Sequence, residues 1–293
     1  MSAELPLGYV RLRAARADAV GLTAAAGALE RALAQHGTLY AWAASHPARR
    51  TFQGRAPAYA APLPGGALDV VVRHAWHGGL LRRVTRDLFA PPTRAPGELR
   101  ASARLRTAGV RTPEVVAYAR YPAPLGLCRV DVATRLVAGA RDLAAVLLPD
   151  RPDAPDAPHA AALRAGWIAA TAELLGTLAR AGARHPDLNL KNVLLAHDAG
   201  ATSDSAPSST LAPVHAWVLD VDVARVPAGP AAVSERRAAF TANFTRLRRS
   251  LDKWRRAHAL PVTDADLQAL HDAALAHLAA PALAVPALAA PVA

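Results

Sequence analysis

One cysteine and two lysines are all that this 293-residue chain carries of either type: Cys128, Lys191 and Lys253. A single cysteine excludes an intrachain disulfide and any cysteine-based zinc site, and it fits a reducing compartment. Aromatic residues make up only 5% of the chain and are not interleaved with the basic ones. A nucleic-acid-binding module is an alternative prompted by a pI near 11.0, and the scarcity of aromatics argues against it. Long uninterrupted apolar runs are also missing. The longest uncharged stretch, residues 273–293, is mostly alanine and contains Pro281, Pro286 and Pro291. A membrane-spanning helix does not absorb three proline breaks, so this stretch reads as an extended or frayed tail. The opening MSAELPLGYVRLRAARADAV has no apolar core behind a basic start, so no secretory signal is expected.

What is present describes a globular protein. Apolar residues reach 52%, with a mean hydropathy of +0.12, and the length suits one large domain or a two-lobed unit with its own core. The net charge of +11 comes almost entirely from arginine and favours polyanionic partners: nucleic acid, anionic lipid or phosphorylated sugars. Periodicity predicts helices over residues 23–36, 77–89, 98–107, 161–181, 234–259 and 263–280. It predicts strands over 67–74, 114–120, 127–137 and 216–223, with a low-complexity loop at 198–213. Strands dominate the first half and helices the second, an α+β pattern of two unequal lobes. The expected boundaries are a strand-rich N-lobe over 1–137, a helical C-lobe over 138–280 and a tail over 281–293.

The chemistry concentrates in His185-Pro186-Asp187-Leu188-Asn189-Leu190-Lys191-Asn192, which fits H-x-D-L-x-x-x-N. This is the catalytic-loop pattern of kinase-like phosphotransferases. The spacing lets one carboxylate meet an acceptor hydroxyl while an amide oxygen five residues on meets a magnesium ion. Asp220 ends the apolar run AWVLD, 28 residues beyond Asn192, where such enzymes keep a second metal-binding carboxylate. An aspartate at a strand end is in general more often a turn residue or a cap; the order of the pieces carries the reading. In the first half, Arg73 ends the strand VVVRH and Glu98 opens a helix, which makes them a candidate phosphate-positioning cation and its carboxylate partner. Gly54, in RRTFQGRAPAY, is a candidate turn of a nucleotide-covering loop.

Together the stretches GRAPAY, VVVRHAWHGGLLRRVTRDLF, the Glu98 helix running into AGVRTP, HPDLNLKNVLL, LDVDVARV and NFTRLRRSLDK resemble the lipopolysaccharide kinase family. They span about residues 52–253. The most diagnostic are RH followed closely by GGL, Asn189 two residues after Asp187, and the N-x-x-RLRRS run. Protein kinases generally carry Lys or Arg at the Asn189 position. Ala56, Ala75, Trp76 and Val221 depart from the family pattern. The resemblance implies a protein-kinase-like two-lobed fold, with Asp187 as catalytic aspartate and Asn192 and Asp220 as magnesium ligands. Arg73, Glu98 and Gly54 then belong to the nucleotide site. It implies ATP and Mg²⁺ as cofactors and, as acceptor, a sugar hydroxyl of 3-deoxy-D-manno-octulosonic acid (Kdo) linked to lipid A. The expected location is cytoplasmic and peripheral, on the cytoplasmic face of the inner membrane, with no nucleic-acid partner. Two arginine clusters are candidate contacts to an anionic membrane surface: Arg82, Arg83 and Arg86, and Arg246, Arg248, Arg249, Arg255 and Arg256. Kinases of heptose or of a soluble small molecule share this machinery, and an inactive kinase-like scaffold of envelope assembly is a further alternative.

Overall fold

A computed structural model describes residues 4–14, 16–54, 56–66, 68–77, 87–148, 157–197 and 214–280. Residues 78–86 of the helix expected over 77–89, with Arg82, Arg83 and Arg86, lie outside the described residues, as do the loop 198–213 and the tail 281–293; residues 87–89 are not helical, and Phe89 bridges to Cys128. The chain divides into two compact units: Met1–Ala103 with Pro113–Val137, and Arg104–Thr112 with Ala138–Ala293.

The first unit is built on a seven-stranded sheet. β1 (Tyr9–Arg11) and β2 (Asp18–Leu22) precede α1 (Ala26–His36) and α2 (Leu39–Ser45). β3 (Arg50–Phe52), β4 (Ala58–Pro62) and β5 (Asp69–His74) come next. α3 (Ala95–Thr107), β6 (Val115–Pro122) and β7 (Cys128–Arg135) complete the series. The strand order is β1-β2-β6-β7-β5-β4-β3, and every neighbouring pair is antiparallel. Apolar layers cover both faces. Leu29, Leu33, Leu39 and Trp42 of α1 and α2 pack with Val70, Val72 and Val116. On the other face, Ala95 and Leu99 of α3 pack with Tyr118, Val130 and Val132. β6 is buried along both faces, and a register shift between Val115 and Ala117 lets the consecutive Val116 and Ala117 share one layer. Successive side chains of β5 point to opposite faces of the sheet. Val70 and Val72 face the α1–α2 layer, so His74 turns to that side and Arg73 turns to α3.

The second unit is mostly helical. It comprises β8 (Arg141–Asp142), α4 (Leu143–Leu147), α5 (Ala157–Arg180), β9 (Val193–His197), β10 (Val214–Val218), α6 (Val233–His258) and α7 (Asp264–Ala279). The strands form a small antiparallel sheet in the order β10-β9-β8. α5 packs against α6, α7 and β10, burying Trp167, Leu174, Leu175 and Leu178. It ends at a left-handed turn, Gly182 (φ +65°), where a β-carbon would come within 2.5 Å of Ala231 Cβ. This turn delivers the chain into residues 183–192. Among the described residues, no helix is long and apolar enough to cross a membrane.

The structure departs from the periodicity reading in several places. α2, α4, β1, β2, β3, β4 and β8 were not expected, because their alanine-rich or short sequences carry little period. α3 begins at Ala95 rather than Glu98, since Pro96 sits in the first turn, where no intrahelical N–H is needed. The strand expected over 216–223 ends at Val218; Asp220 adopts a left-handed conformation (φ 53°, ψ 47°) and residues 221–223 form a 3-10 turn.

Two glycines of α5 make opposite predictions. A β-carbon at Gly176 would lie 2.4 Å from His277 Cβ and 3.0 Å from His277 C on α7, whereas one at Gly166 would meet only Val214 Cγ2 at 3.9 Å. Gly176→Ala should destabilise by about 1–3 kcal/mol through overpacking. Gly166→Ala should stabilise by about 0.5–1 kcal/mol by removing a helical glycine. Chemical denaturation of both variants checks the opposite signs.

Candidate active site

The six candidate residues fall into two groups, one in each unit. In the first unit, Arg73 and Glu98 form the expected pair. Arg73 Nη2 lies 2.5 Å from both Glu98 carboxylate oxygens, and Glu98 is only 5% exposed. Twenty-five residues separate them in sequence; β5 alternation and the first turn of α3 bring them together. Gly54 sits in the connection between β3 and β4 and is exposed. A β-carbon there would meet only Ala56 O, at 3.4 Å, so no backbone strain calls for glycine at this position.

In the second unit, a turn, a strand pair and a helix assemble the other three residues. Leu188 N donates to His185 O (3.1 Å) and Asn192 N to Asn189 O (3.0 Å), folding the turn. The Asp187 main-chain carbonyl accepts from Asn189 Nδ2 (3.0 Å) and Asn192 Nδ2 (2.9 Å). This orients the Asn192 amide, and no described residue donates to its Oδ1. The Asp187 carboxylate is about half exposed and accepts from Arg246 Nη2 at 3.1 Å. Asp220 joins them through β-sheet register: Val218 pairs with Val193, and Leu219 N donates to Asn192 O at 2.9 Å. His185 Nε2 lies 2.9 Å from Leu219 O, closing the connection from the other side. The Asp220 carboxylate is exposed and has no partner among the described residues. Its left-handed backbone costs roughly 1–2 kcal/mol for a residue with a β-carbon, although aspartate tolerates it better than most. Such strain tends to collect at functional positions.

α6 supports this turn along one face. Asn243, fully buried, accepts from His185 N (2.9 Å) and donates to Ala183 O (2.8 Å). Arg246 reaches Asp187, and Ser250 Oγ accepts from Leu190 N (3.3 Å). These residues are three and four apart, the spacing of one helical face. All three lie in the NFTRLRRS stretch, read from sequence only as a diagnostic run and a basic stripe. The signal available there was the polar Asn243 placed among core positions. The stripe proposed for membrane contact is therefore partly committed elsewhere. Arg246 holds Asp187, and Arg255 pairs with Asp264 (2.7 Å) and Asp252 (3.6 Å). Arg249, Lys253 and Arg256 are exposed.

A polar cluster beside Arg73 escaped the sequence reading entirely. His74 Nδ1 lies 2.6 Å from Asp131 Oδ1, and Nε2 lies 3.2 Å from Asp87 Oδ2. Asp131 is fully buried and also accepts from Tyr40 N (2.9 Å), while Tyr121 OH accepts from Leu39 N (2.9 Å). Two orphan N–H groups of the α2 N-terminus are thereby satisfied. Arg129 Nε reaches Asp87 at 2.7 Å. Burial alone would depress the His74 pKa, but hydrogen bonds and charge from Asp131 and then Asp87 outweigh it, so the net shift is upward. Burial likewise acts to raise the Asp87 pKa, and its bonds to His74 and Arg129 override this and hold it low.

An acid and an amide on one turn, tied through a strand pair to a second acid, belong to the protein-kinase-like class of phosphotransferases. Sequence comparison narrows the class. Residues 54–273 match the lipopolysaccharide kinase (Kdo/WaaP) family. A protein named 3-deoxy-D-manno-octulosonic acid kinase from Xanthomonas oryzae pv. oryzae is 31% identical over 228 residues, covering 75% of this chain and 76% of its own. One of the same name from Vibrio vulnificus is 27% identical over 234 residues, covering 78% and 84%. Among solved structures, WaaP in complex with acyl carrier protein aligns at a TM-score of 0.46 and 19% identity, covering 78% of each chain. The chain belongs to the lipopolysaccharide kinase (Kdo/WaaP) family, and it is a transferase that phosphorylates a sugar hydroxyl in lipopolysaccharide biosynthesis.

The His74 cluster predicts a pH dependence with a definite sign. A histidine whose folded pKa is raised above 6.5 contributes stability that is complete below that value and is lost as pH rises through the folded pKa. Asp87, lowered from 3.8, contributes stability present above that value and lost as pH falls through its folded pKa. The cluster is therefore strongest between about pH 4 and 6.5. The melting-temperature gap between wild type and His74→Gln should be widest in that window and narrow steadily towards pH 9.

Proposed function

We propose that this chain transfers the γ-phosphoryl group of ATP to a hydroxyl of Kdo linked to lipid A. The observation that carries the reading is the assembly of Asp187, Asn192 and Asp220 by the β9–β10 register and the Leu219 contacts. The family match and the relatives named for Kdo phosphorylation supply the acceptor.

Asp187 is the residue that receives the acceptor. Its exposed carboxylate orients the sugar hydroxyl and takes its proton as the oxygen bonds to the γ-phosphorus. The bond from that phosphorus to the β–γ bridging oxygen breaks, and ADP departs with the electron pair. Asn192 Oδ1 and the Asp220 carboxylate are hard oxygen donors without partners among the described residues, the kind that Mg²⁺ accepts alongside substrate phosphates. A bound Mg²⁺ supplies neutralisation of phosphate charge. Asp220 carries its exposed carboxylate at the point where the chain leaves the sheet, and the Asn192 amide is held ready by Asp187 O. Arg73, always charged and fixed by the buried Glu98, is the phosphate-positioning cation; Gly54 allows a nucleotide-covering turn to approach closely. Exposed Arg249, Lys253 and Arg256 support residence on the anionic cytoplasmic face of the inner membrane, where a lipid A-linked acceptor is presented.

Mass spectrometry of lipid A–Kdo incubated with the protein, ATP and magnesium tests the acceptor: addition of one phosphate to the Kdo residue is expected, and phosphate on a heptose instead overturns the assignment. Asp187→Asn should reduce turnover by about 10²-fold or more, with ATP binding nearly intact by calorimetry. Asp220→Gly relieves the left-handed strain, so it should fold at least as stably as wild type yet lose magnesium-dependent nucleotide binding. Retained Mg–ATP affinity in that variant would reduce Asp220 to a turn residue.

A further inference from the structure

A phosphotransfer centre needs positive charge near the group in flight, and the turn over 185–192 does not supply it. At Asn189, where protein kinases generally carry a cation, both polar side-chain atoms are engaged inside the turn. Oδ1 accepts from Lys191 N at 2.9 Å, and Nδ2 donates to Asp187 O at 3.0 Å. The turn's own lysine, Lys191, places its ammonium over the Trp254 ring, 5.7 Å from the centroid. The cation that does reach Asp187 comes from α6. Arg246 Nη2 donates to Asp187 Oδ1 at 3.1 Å, with both side chains about half exposed.

We propose that Arg246 is the cation of the phosphoryl-transfer centre: it fixes the Asp187 carboxylate through Oδ1 and offers its remaining N–H groups to the transferring phosphoryl oxygens. The proposal rests on Asp187 being the acceptor-orienting residue. Three features support it. Guanidinium is permanently charged and presents five donors, so one can hold Asp187 while others stay available. Bonding through Oδ1 leaves Oδ2 for the acceptor hydroxyl. The helix that carries Arg246 is registered to the turn on both sides, by Asn243 on His185 N and Ala183 O and by Ser250 on Leu190 N, so the guanidinium is placed by a rigid element. The position lost as a charge at 189 is thus regained 57 residues later in sequence.

The test is steady-state kinetics on the full-length chain with ATP and the lipid A–Kdo acceptor. It compares wild type, Asp187→Asn, Arg246→Ala, Arg246→Lys and the Asp187→Asn/Arg246→Ala pair, with melting temperatures and ATP affinity measured alongside. Arg246→Ala should lower kcat by about 10²-fold or more, the effect of removing one transition-state donor, while KM for ATP moves only a few-fold. Arg246→Lys should recover part of the loss, since a point charge replaces the fork. Added guanidinium ion should partly restore Arg246→Ala, a response that a purely structural arginine would not show. The double variant should lose little more than the worse single one, because the two groups act as a unit. If Asp187→Asn is crippled but Arg246→Ala turns over within a few-fold of wild type, the Arg246 proposal fails and the Asp187 assignment stands. If Asp187→Asn itself retains activity, the underlying reading fails with it. A loss in Arg246→Ala confined to vesicle-borne acceptor, absent with detergent-dispersed acceptor, overturns the proposal in favour of a membrane contact.

Discussion

Asn243 lies fully buried in the middle of a basic helix, and its amide accepts from His185 N while donating to Ala183 O. Both partners are main-chain groups of a turn that enters no strand or helix at that point, so nothing else among the described residues satisfies them. A buried main-chain group without a partner costs about 1–3 kcal/mol, and Asn243 satisfies two with one side chain. The same helix then sets the position of Asp187 through Arg246 and of Leu190 through Ser250. The geometry of the turn is consequently inherited from α6, and α6 from its packing on α5.

The second constraint is the join between the turn and β10. Leu219 receives His185 Nε2 at its carbonyl and gives its N–H to Asn192. One residue later the chain must leave the sheet, and Asp220 does so in a left-handed conformation that most side chains avoid. A glycine would meet the backbone requirement at lower cost. That an acid stands there, exposed and unpaired among the described residues, is a local conflict that supports the metal-binding role proposed for it.

The first unit makes a comparable use of one strand. β5 alternation sends Arg73 to Glu98 on α3 and His74 to Asp131 and Asp87 on the opposite face. Arg73 and His74 are thereby held by three carboxylates, and the end of β5 is fixed from both sides. Asp131 also satisfies a main-chain donor of α2, so the strand and the helix share one buried acid. This arrangement rigidifies the stretch that precedes Trp76 and His77 without enlarging the apolar core.

By itself the sequence determined the local chemistry. The H-x-D-L-x-x-x-N spacing, the apolar strand that follows residues 198–213 and the long helices arise from short-range periodicity and turn preferences, and these operate within a few residues. The pairing of Arg73 with Glu98 was legible only through the catalytic-loop pattern further along the chain, because a charged strand end and an acid in a helix's first turn are by themselves ordinary solvent-facing features. Only the tertiary structure decided which contacts cross long stretches of chain. The register of β9 with β10 brings Asp220 to Asn192, and the face of α6 turns Arg246 from a member of a surface stripe into a partner of Asp187. A basic helical run has the same pattern whether it faces solvent, lipid or a carboxylate. Choosing among these takes the packing of α6 on α5 and the buried hydrogen bonds of Asn243, which depend on residues about sixty positions away.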